Sequence, residues 1–419
     1  MKRIAVVGGG VAGLTAAWAL RSEGEVTLYE AETRLGGHAD SHVISRPNGS
    51  RDVVDTGFIV MNTLTYPTFT RLLNELGVST QPAEMSMSVS CDGCGLEYAG
   101  ARGPASLFAQ TESVRNRRYW RMLTEIPRFH RAARKLLATR GTDDAPLRDF
   151  LIQNRFTDYF TNHFAIPLVA CVWSCSPGIA LDYPARYLFS FLNNHGMLRI
   201  WGSPQWQTLV GGSREYVNRI AMTLADIRLG SSVTAVDRDP DRVEIRTTAG
   251  TVEHYDAAVM ATHPDQALAV LSHPTELERK LLGAFTYSAN PTQLHCDESL
   301  LPRSVRARAS WNFRTTSCGG SAAAPVAVTY DMNRLQRIDS PNRYLVSLNS
   351  AAEIDPAKLQ EQMNYSHPQY TPKSVEAQQR LPELNSPRLA FAGAYHGWGF
   401  HEDGAASGLA AARTLGARW

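Results

Sequence analysis

Three stretches of the sequence predict an α/β fold in which a mostly parallel sheet is built in three passes around an inserted α+β domain. A strand, a glycine-rich turn, a helix and a second strand open the chain over residues 3–30. Strand and helix patterns of the same kind resume at residue 203, after a long helical stretch. A last apolar strand, RLAFAGAY (388–395), runs into a small-residue helix at the C-terminus. Alternation of this kind puts helices on the faces of a parallel sheet. The passes are residues 1–62, 203–272 and 383–419, and the inserted domain takes 63–202 and 273–382.

A chain of 419 residues is comfortable for two domains. Its net charge of +2, without a basic stripe, implies no nucleic-acid partner. No run of about 18 uninterrupted apolar residues asks for a membrane-spanning helix. The opening MKRIAVVGGG begins with a strand rather than a charged-then-apolar leader, so a cytoplasmic location is expected. In that setting Cys91, Cys94, Cys171, Cys175, Cys296 and Cys318 are most simply free thiols. CDGC (91–94) offers two thiols at the spacing of half a zinc site, but a second pair is lacking. CVWSC (171–175) lies in an apolar stretch, so CDGC reads as a glycine turn and no metal centre is expected.

Residues 3–7, RIAVV, form a short apolar run that suits a buried parallel strand. GGGVAG follows, with Gly8, Gly10 and Gly13 in G-x-G-x-x-G register. LTAAWALRSEG then reads as a helix ending at Gly24, and EVTLYE as a second strand closing on Glu30. Gly8 permits the tight turn, Gly10 lets the backbone approach a pyrophosphate, and Gly13 lets helix and strand pack closely. The helix start, Val11 and Ala12 included, offers unpaired N–H groups to phosphate. Glu30, with Ala31 beside it, suits ribose hydroxyls. The combination specifies a dinucleotide.

The next residues, AETRLGGHADS (31–41), place Arg34 and the pair Gly36–Gly37 directly after Glu30. E-x-x-x-R-x-G-G resembles the continuation found in flavoproteins of the amine oxidase and phytoene desaturase superfamily. The resemblance implies a Rossmann-like, glutathione-reductase-type FAD domain with an amine-oxidase-like inserted substrate domain. It implies that Arg34, Gly36 and Gly37 reach the FAD pyrophosphate and ribityl side. His38 stands where many members carry arginine. VVDTGFIVMN (53–62) resembles the next element, where Gly57 and Phe58 pass the flavin.

YPTFTRLLNELGV (66–78) reads as an amphipathic helix with Phe69, Leu72, Leu73 and Leu76 on one face. Residues 105–200 are mainly helical in pattern. Within them 114–138 is basic and amphipathic, a solvated face or a surface for anionic lipid. Residues 164–198, rich in aromatic and small apolar residues, read as a helical core and as a greasy wall for an apolar substrate. LVGGSREYVNRIAMTLA (209–225) gives a glycine turn and a helix, and 227–264 gives strand, hairpin and strand. By the resemblance, Val233 offers its backbone to adenine and Thr262 ends the strand that returns under FAD. Short β segments within 285–350 fit a substrate-domain sheet.

The C-terminal stretch GAYHGWGFHEDGAASGLAAARTLG (393–416) crowds His396, His401, Glu402 and Asp403 among glycines. The glycines argue against a rigid ligand helix, and the spacing matches no helical metal motif. The better reading is a helix over 404–415 whose small first turn lets a flat ring approach its positive end. The resemblance extends to FAG…DG…SG. It implies that Gly393 and Ala394 meet the ribityl-phosphate region, and that Glu402 and Asp403 give backbone contacts or cap the helix. His401 lies near a position where amine oxidases place an aromatic residue before the flavin. It is the candidate proton-handling residue, since imidazole titrates near neutrality. Packing on the ring, or hydrogen bonding to it, is its alternative role.

FLNNHG (191–196), TYDMNRLQ (329–336) and YSHPQY (365–370), with GAYHGWGFHEDG (393–404), are similar to one bacterial subfamily over nearly the full length. These FAD/NAD-binding oxidoreductases are related to the flavoprotein domain fused ahead of plant cyclopropane fatty-acid synthases. The resemblance implies an FAD-dependent oxidoreductase that moves hydride between flavin N5 and a carbon of an apolar substrate, best a lipid fatty acyl chain. It implies a cyclopropane synthase-like methyltransferase as partner and peripheral contact with the inner face of a membrane. A flavin amine oxidase or carotenoid-type desaturase, and a non-catalytic FAD-binding partner protein, are the alternatives. In many amine oxidases a lysine holds water at N5. None of Lys2, Lys135, Lys280, Lys358 and Lys373 stands in a suitable context.

Overall fold

The computed structural model describes residues 1–139, 145–199, 202–319 and 325–419. Parts of the expected inserted domain, at 140–144, 200–201 and 320–324, lie outside the described residues.

The first strand, Lys2–Val7, is central in a five-stranded, all-parallel sheet. It pairs with Gly24–Tyr29 on one side and Ala257–Met260 on the other. Asp226–Arg228 and Leu389–Phe391 form the edges. The uninterrupted apolar run is needed because both faces are buried. Ile4 and Val6 enter one core, while Ala5 and Val7 enter another. That division is the two-residue strand period. The first core holds the helices Val11–Leu20, Pro67–Leu76, Arg214–Ala221 and His401–Thr414. The second is closed by the three-stranded antiparallel sheet of residues 233–255 and by the helices Pro264–Val270, Glu276–Leu282 and Pro372–Arg380.

The sequence ran the first helix to Gly24, but it stops at Leu20, and Gly24 begins the second strand. A side chain at Gly24 would lie 2.2 Å from the Lys2 carbonyl oxygen, so strand pairing claims the glycine. The helix Pro67–Leu76 buries the four expected residues, yet it buries them against the first core rather than in the inserted domain. Gly77, at φ +68°, ends it.

The inserted elements build a seven-stranded sheet in the order 359–369, 286–295, 345–348, 327–331, 311–315, 87–91, 96–100. All its pairs are antiparallel except Trp311–Thr315 with Met87–Cys91. Helices between residues 104 and 194 cover this sheet with an aromatic core of Phe129, Phe150, Phe160, Phe189 and Phe191. Cys171 and Cys175 are buried in that core. No described helix is long and apolar enough to cross a membrane.

Candidate active site

The glycine turn after the first strand is built as its sequence requires. Gly8 has φ +105°, and an added β carbon would sit 2.6 Å from the Ala261 carbonyl oxygen. At Gly13 the clash would be with the Gly8 carbonyl oxygen, at 1.9 Å. Gly10 differs: a β carbon there meets nothing within 4 Å. A β carbon added at Gly37, at φ +56°, would meet only the Gly10 Cα within 4 Å, at 3.4 Å. The first helix starts at Val11 with no side-chain cap. Its first N–H groups, including those of Val11, Ala12 and Gly13, have no intrahelical acceptor and suit an anion. The glycine turn therefore fits a pyrophosphate.

The second glycine loop is stitched to the first. Gly36 donates to the Gly9 carbonyl at 2.9 Å, and Gly10 and Gly36 form a parallel bridge. Glu30 tightens the joint, accepting from Gly9 N–H at 2.7 Å and Glu32 N–H at 2.8 Å. Ala31 beside it is exposed. Arg34 donates to the Gly37 carbonyl at 3.0 Å and pairs with Asp40 at 3.1 Å and Glu32 at 3.3 Å. Thr262 lies at the turn beyond Ala257–Met260, against the space beside Gly8, and Val233 opens its strand.

His38 sits 5.1 Å, ring to ring, from Tyr365 and 5.5 Å from His367. Burial, reinforced by His367, pushes the His38 imidazole down to about 3. Its carbonyl oxygen receives the Phe58 N–H at 2.7 Å. A side chain at Gly57 would lie 2.2 Å from that oxygen, so only glycine fits. Asp40 accepts from Tyr365 Oη at 2.8 Å. Asp55, buried and pushed up to about 6 by desolvation, takes bonds from Ser41, from the Ser213 N–H and hydroxyl, and from Gln336 at 2.7 Å. Sequence reading missed Asp55, Tyr365 and His367. The only signals were an acid two residues before Gly57 and the histidine of YSHPQY.

The C-terminal helix begins at His401, three residues before the expected start. Asp403, not a hydroxyl, closes its first turn by accepting from Phe400 N–H at 2.9 Å. Burial pushes this carboxyl up to about 7. The helix crosses the first helix closely, because a side chain at Gly404 would meet Val11 at 2.6 Å and one at Gly408 the Ala12 carbonyl at 2.1 Å. Ser407 ties Gly393 in place, donating to its carbonyl and accepting its N–H, both at 3.0 Å. Ala394 begins the following short turn.

His401 does not have the expected near-neutral setting. Its ring stacks on Phe58 at 3.7 Å and 8°, meets Phe69 edge-on at 5.2 Å, and bonds through Nε2 to Tyr216 Oη at 2.9 Å. Desolvation drives the imidazole well below 6.5. It is a neutral, packed histidine.

Before this helix, Trp398 and Phe400 are half-buried and face an aromatic surface. Phe400 stacks on Phe191 at 4.7 Å, and His195 approaches Phe191 at 4.0 Å. Trp173 donates to the Trp398 carbonyl at 3.2 Å, and Tyr187 to that of Gly397 at 2.9 Å. The greasy stretch 164–198 thus meets the C-terminal motif.

The sequence profile of the flavin containing amine oxidoreductase family matches residues 11–301, well over half of the chain. The chain belongs to that family. It is an FAD-dependent oxidoreductase with an amine-oxidase-like fold. Solved structures share the fold along the whole chain. Cyclohexylamine oxidase from Brevibacterium oxydans IH-35A is 16% identical with a TM-score of 0.70, covering 99% of this chain and 98% of that one. Wild-type putrescine oxidase bound to putrescine is 14% identical with a TM-score of 0.67, covering 100% and 99%. A CLA-producing fatty acid isomerase from P. acnes is 16% identical with a TM-score of 0.68, covering 98% and 97%.

Proposed function

We propose that this oxidoreductase exchanges hydride with a carbon of a lipid fatty acyl chain. Bound FAD supplies the two-electron chemistry, with N5 as the hydride acceptor or donor. The protein's part is to lay an apolar chain along the ring and exclude water.

The observation that carries this reading is the half-buried aromatic pair Trp398 and Phe400 beside the C-terminal motif, backed by the buried Trp173 and Phe191. A surface of this kind gains from burying methylene groups, at about 0.8 kcal/mol each. The lysines lie elsewhere. Lys2 donates to the Leu415 carbonyl, Lys358 pairs with Asp297, and Lys135, Lys280 and Lys373 are exposed on helices. The fold-mate fatty acid isomerase is consistent with an acyl substrate. Access to lipid is proposed through the exposed arginines of helix Arg117–Ala138. The subfamily resemblance supports a cyclopropane synthase-like methyltransferase acting on the same chains.

The amine reading is kept because aromatic rings also receive ammonium groups and two of the fold-mates are amine oxidases. Anaerobic mixing with saturated, unsaturated and cyclopropane phospholipids, and with primary amines, separates the two. Bleaching of the yellow protein by one of the lipids and by no amine is expected. Bleaching by amines alone overturns the lipid reading. Bleaching by nothing, with tight binding of the methyltransferase, favours a non-catalytic FAD protein.

A further inference from the structure

CDGC, read from sequence as a glycine turn short of two ligands, receives them in the fold. Cys91, Cys94, His163 and Cys318 each bring one ligand atom, and the four atoms lie within 4.8 Å of one another. We propose that these residues form a structural zinc site of the three-cysteine, one-histidine type.

Two of the six spacings already match a tetrahedral ion, and the others need to close by no more than about an ångström. Zn–S bonds of about 2.3 Å and Zn–N bonds of about 2.0–2.1 Å put neighbouring sulfurs about 3.8 Å apart and sulfur and nitrogen about 3.6 Å apart. The Cys91 and Cys318 sulfurs are 3.8 Å apart, and the Cys94 sulfur is 3.5 Å from His163 Nε2. A disulfide needs about 2.05 Å, so the Cys91 and Cys318 sulfurs stand apart as separate thiols.

The surroundings prepare each ligand. His163 Nδ1 lies 2.9 Å from the Tyr159 carbonyl oxygen, which takes its proton and leaves Nε2 as the acceptor. The His163 ring stacks on Tyr159 at 4.2 Å, and its backbone carbonyl receives Tyr98 Oη at 2.7 Å. His163 also stands in a π-helical turn, Thr161–Ala165, a rare form that recurs where a side chain must be aimed. In the hairpin turn, the Cys94 N–H points at the Cys91 sulfur and the Leu96 N–H at the Cys94 sulfur. Gly95, at φ +72°, closes that turn by donating to the Cys91 carbonyl at 2.8 Å. At Gly93 a side chain would lie 2.9 Å from Ser317 Cα, so this glycine lets the loop carrying Cys318 reach the turn.

Four protein ligands leave no open coordination position, so the ion has a structural rather than a catalytic role. It ties three pieces of chain: the end of the hairpin at 87–100, the loop after Trp311–Thr315, and the helical layer over the sheet. His163 lies 69 residues from Cys94 and Cys318 lies 227 from Cys91, which is why the sequence hid the second pair of ligands.

The test is elemental analysis of the full-length, FAD-loaded protein, expressed with zinc and purified with reductant and without chelator. One zinc per chain is expected. Replacing it with cobalt(II) should give the intense visible bands of a tetrahedral thiolate site, away from the flavin absorption. Cys94→Ser, at an exposed ligand, should lose the stoichiometric ion and melt at lower temperature, while Cys296→Ser keeps the ion. Should Cys94→Ser not fold, the cobalt spectrum of the wild type still decides. Reduced, zinc-replete protein without stoichiometric metal overturns the proposal. So does a cobalt spectrum of octahedral type, or zinc that survives Cys94→Ser in full.

Discussion

Glu402 caps the helix that carries Phe69. Its carboxylate accepts the Phe69 N–H at 2.9 Å and the neighbouring Thr68 N–H at the same distance, across more than 330 residues of sequence. Helix Pro67–Leu76 has no side-chain cap of its own, because Tyr66 stands at its N-cap position. The acid that starts the C-terminal helix therefore completes another helix. Glu402→Ala should cost about 1–2 kcal/mol of stability, read as a lower urea midpoint at unchanged FAD content. An unchanged midpoint would show that water replaces the cap.

Gly10 and Gly13 separate cofactor binding from folding. At Gly10 an added side chain enters open groove, and at Gly13 it strikes the Gly8 carbonyl at 1.9 Å. Gly10→Val should give a folded, colourless protein with near wild-type circular dichroism. Gly13→Val should fail to accumulate as folded protein. Yellow Gly10→Val, releasing FAD on denaturation, would place the diphosphate elsewhere.

The parallel sheet, its glycine turn and the Phe69 helix were legible because each rests on local rules: strand period, φ > 0 at glycine, and a four-residue apolar face. The roles of Glu402 and His401 were not. Glu402 finds its N–H donors on a helix far earlier in the chain, and His401 is defined by Phe58 and Tyr216, neither of which is its neighbour in sequence. Contacts of that separation leave no pattern in one chain. The helix start at His401 was missed because Asp403, two residues on, supplies the cap from inside the first turn by accepting the Phe400 N–H.

Besides His163, eight histidines, His38, His130, His195, His263, His295, His367, His396 and His401, are held below 6.5 chiefly by burial. For each, the unfolded chain binds a proton at a pH where the folded chain does not. Stability therefore falls as pH drops below 6.5, until the folded values near 4 (His130, His295, His367, His396) are reached. Asp55, Asp331, Glu402 and Asp403 are raised and act in the opposite sense, stabilising at low pH, but they are fewer. Net proton uptake on unfolding is expected between about pH 6.5 and 4. Urea midpoints near pH 7 and near pH 5 check it, the lower pH giving the lower midpoint.

Helix Arg117–Ala138 buries Tyr119, Met122, Phe129 and Ala133 and exposes Arg117, Arg118, Arg121, Arg128, Arg131, Arg134 and Lys135. Trp120 on the same helix is 46% exposed. Co-sedimentation with anionic liposomes is expected, weakening with salt. At about 1 kcal/mol per basic residue near the surface, Arg131→Glu combined with Arg134→Glu should lower binding at least tenfold. Binding that ignores both salt and these changes would sink the membrane contact.

His401 offers the sharpest choice between structure and chemistry. Its ring lies between Phe58 and Phe69, and its Nε2 is engaged by Tyr216, in surroundings that hold it neutral. A group already neutral well below 6.5 contributes no inflection to a pH–rate profile between pH 6 and 8. Removing its ring should therefore act through packing. His401→Ala should cost about 2–4 kcal/mol, as for other large-to-small changes in a core. His401→Gln, which can keep a bond to Tyr216, should cost less and retain FAD. Flavin reduction by the substrate found in the bleaching screen should stay within about tenfold of wild type in the glutamine variant, with the same pH profile. A loss of about two to four powers of ten, the usual range for a missing general acid or base, would return His401 to the chemistry. Tyr216→Phe resolves the remaining coupling: if the bond only positions the ring, this change lowers the melting temperature and leaves the pH profile where it was.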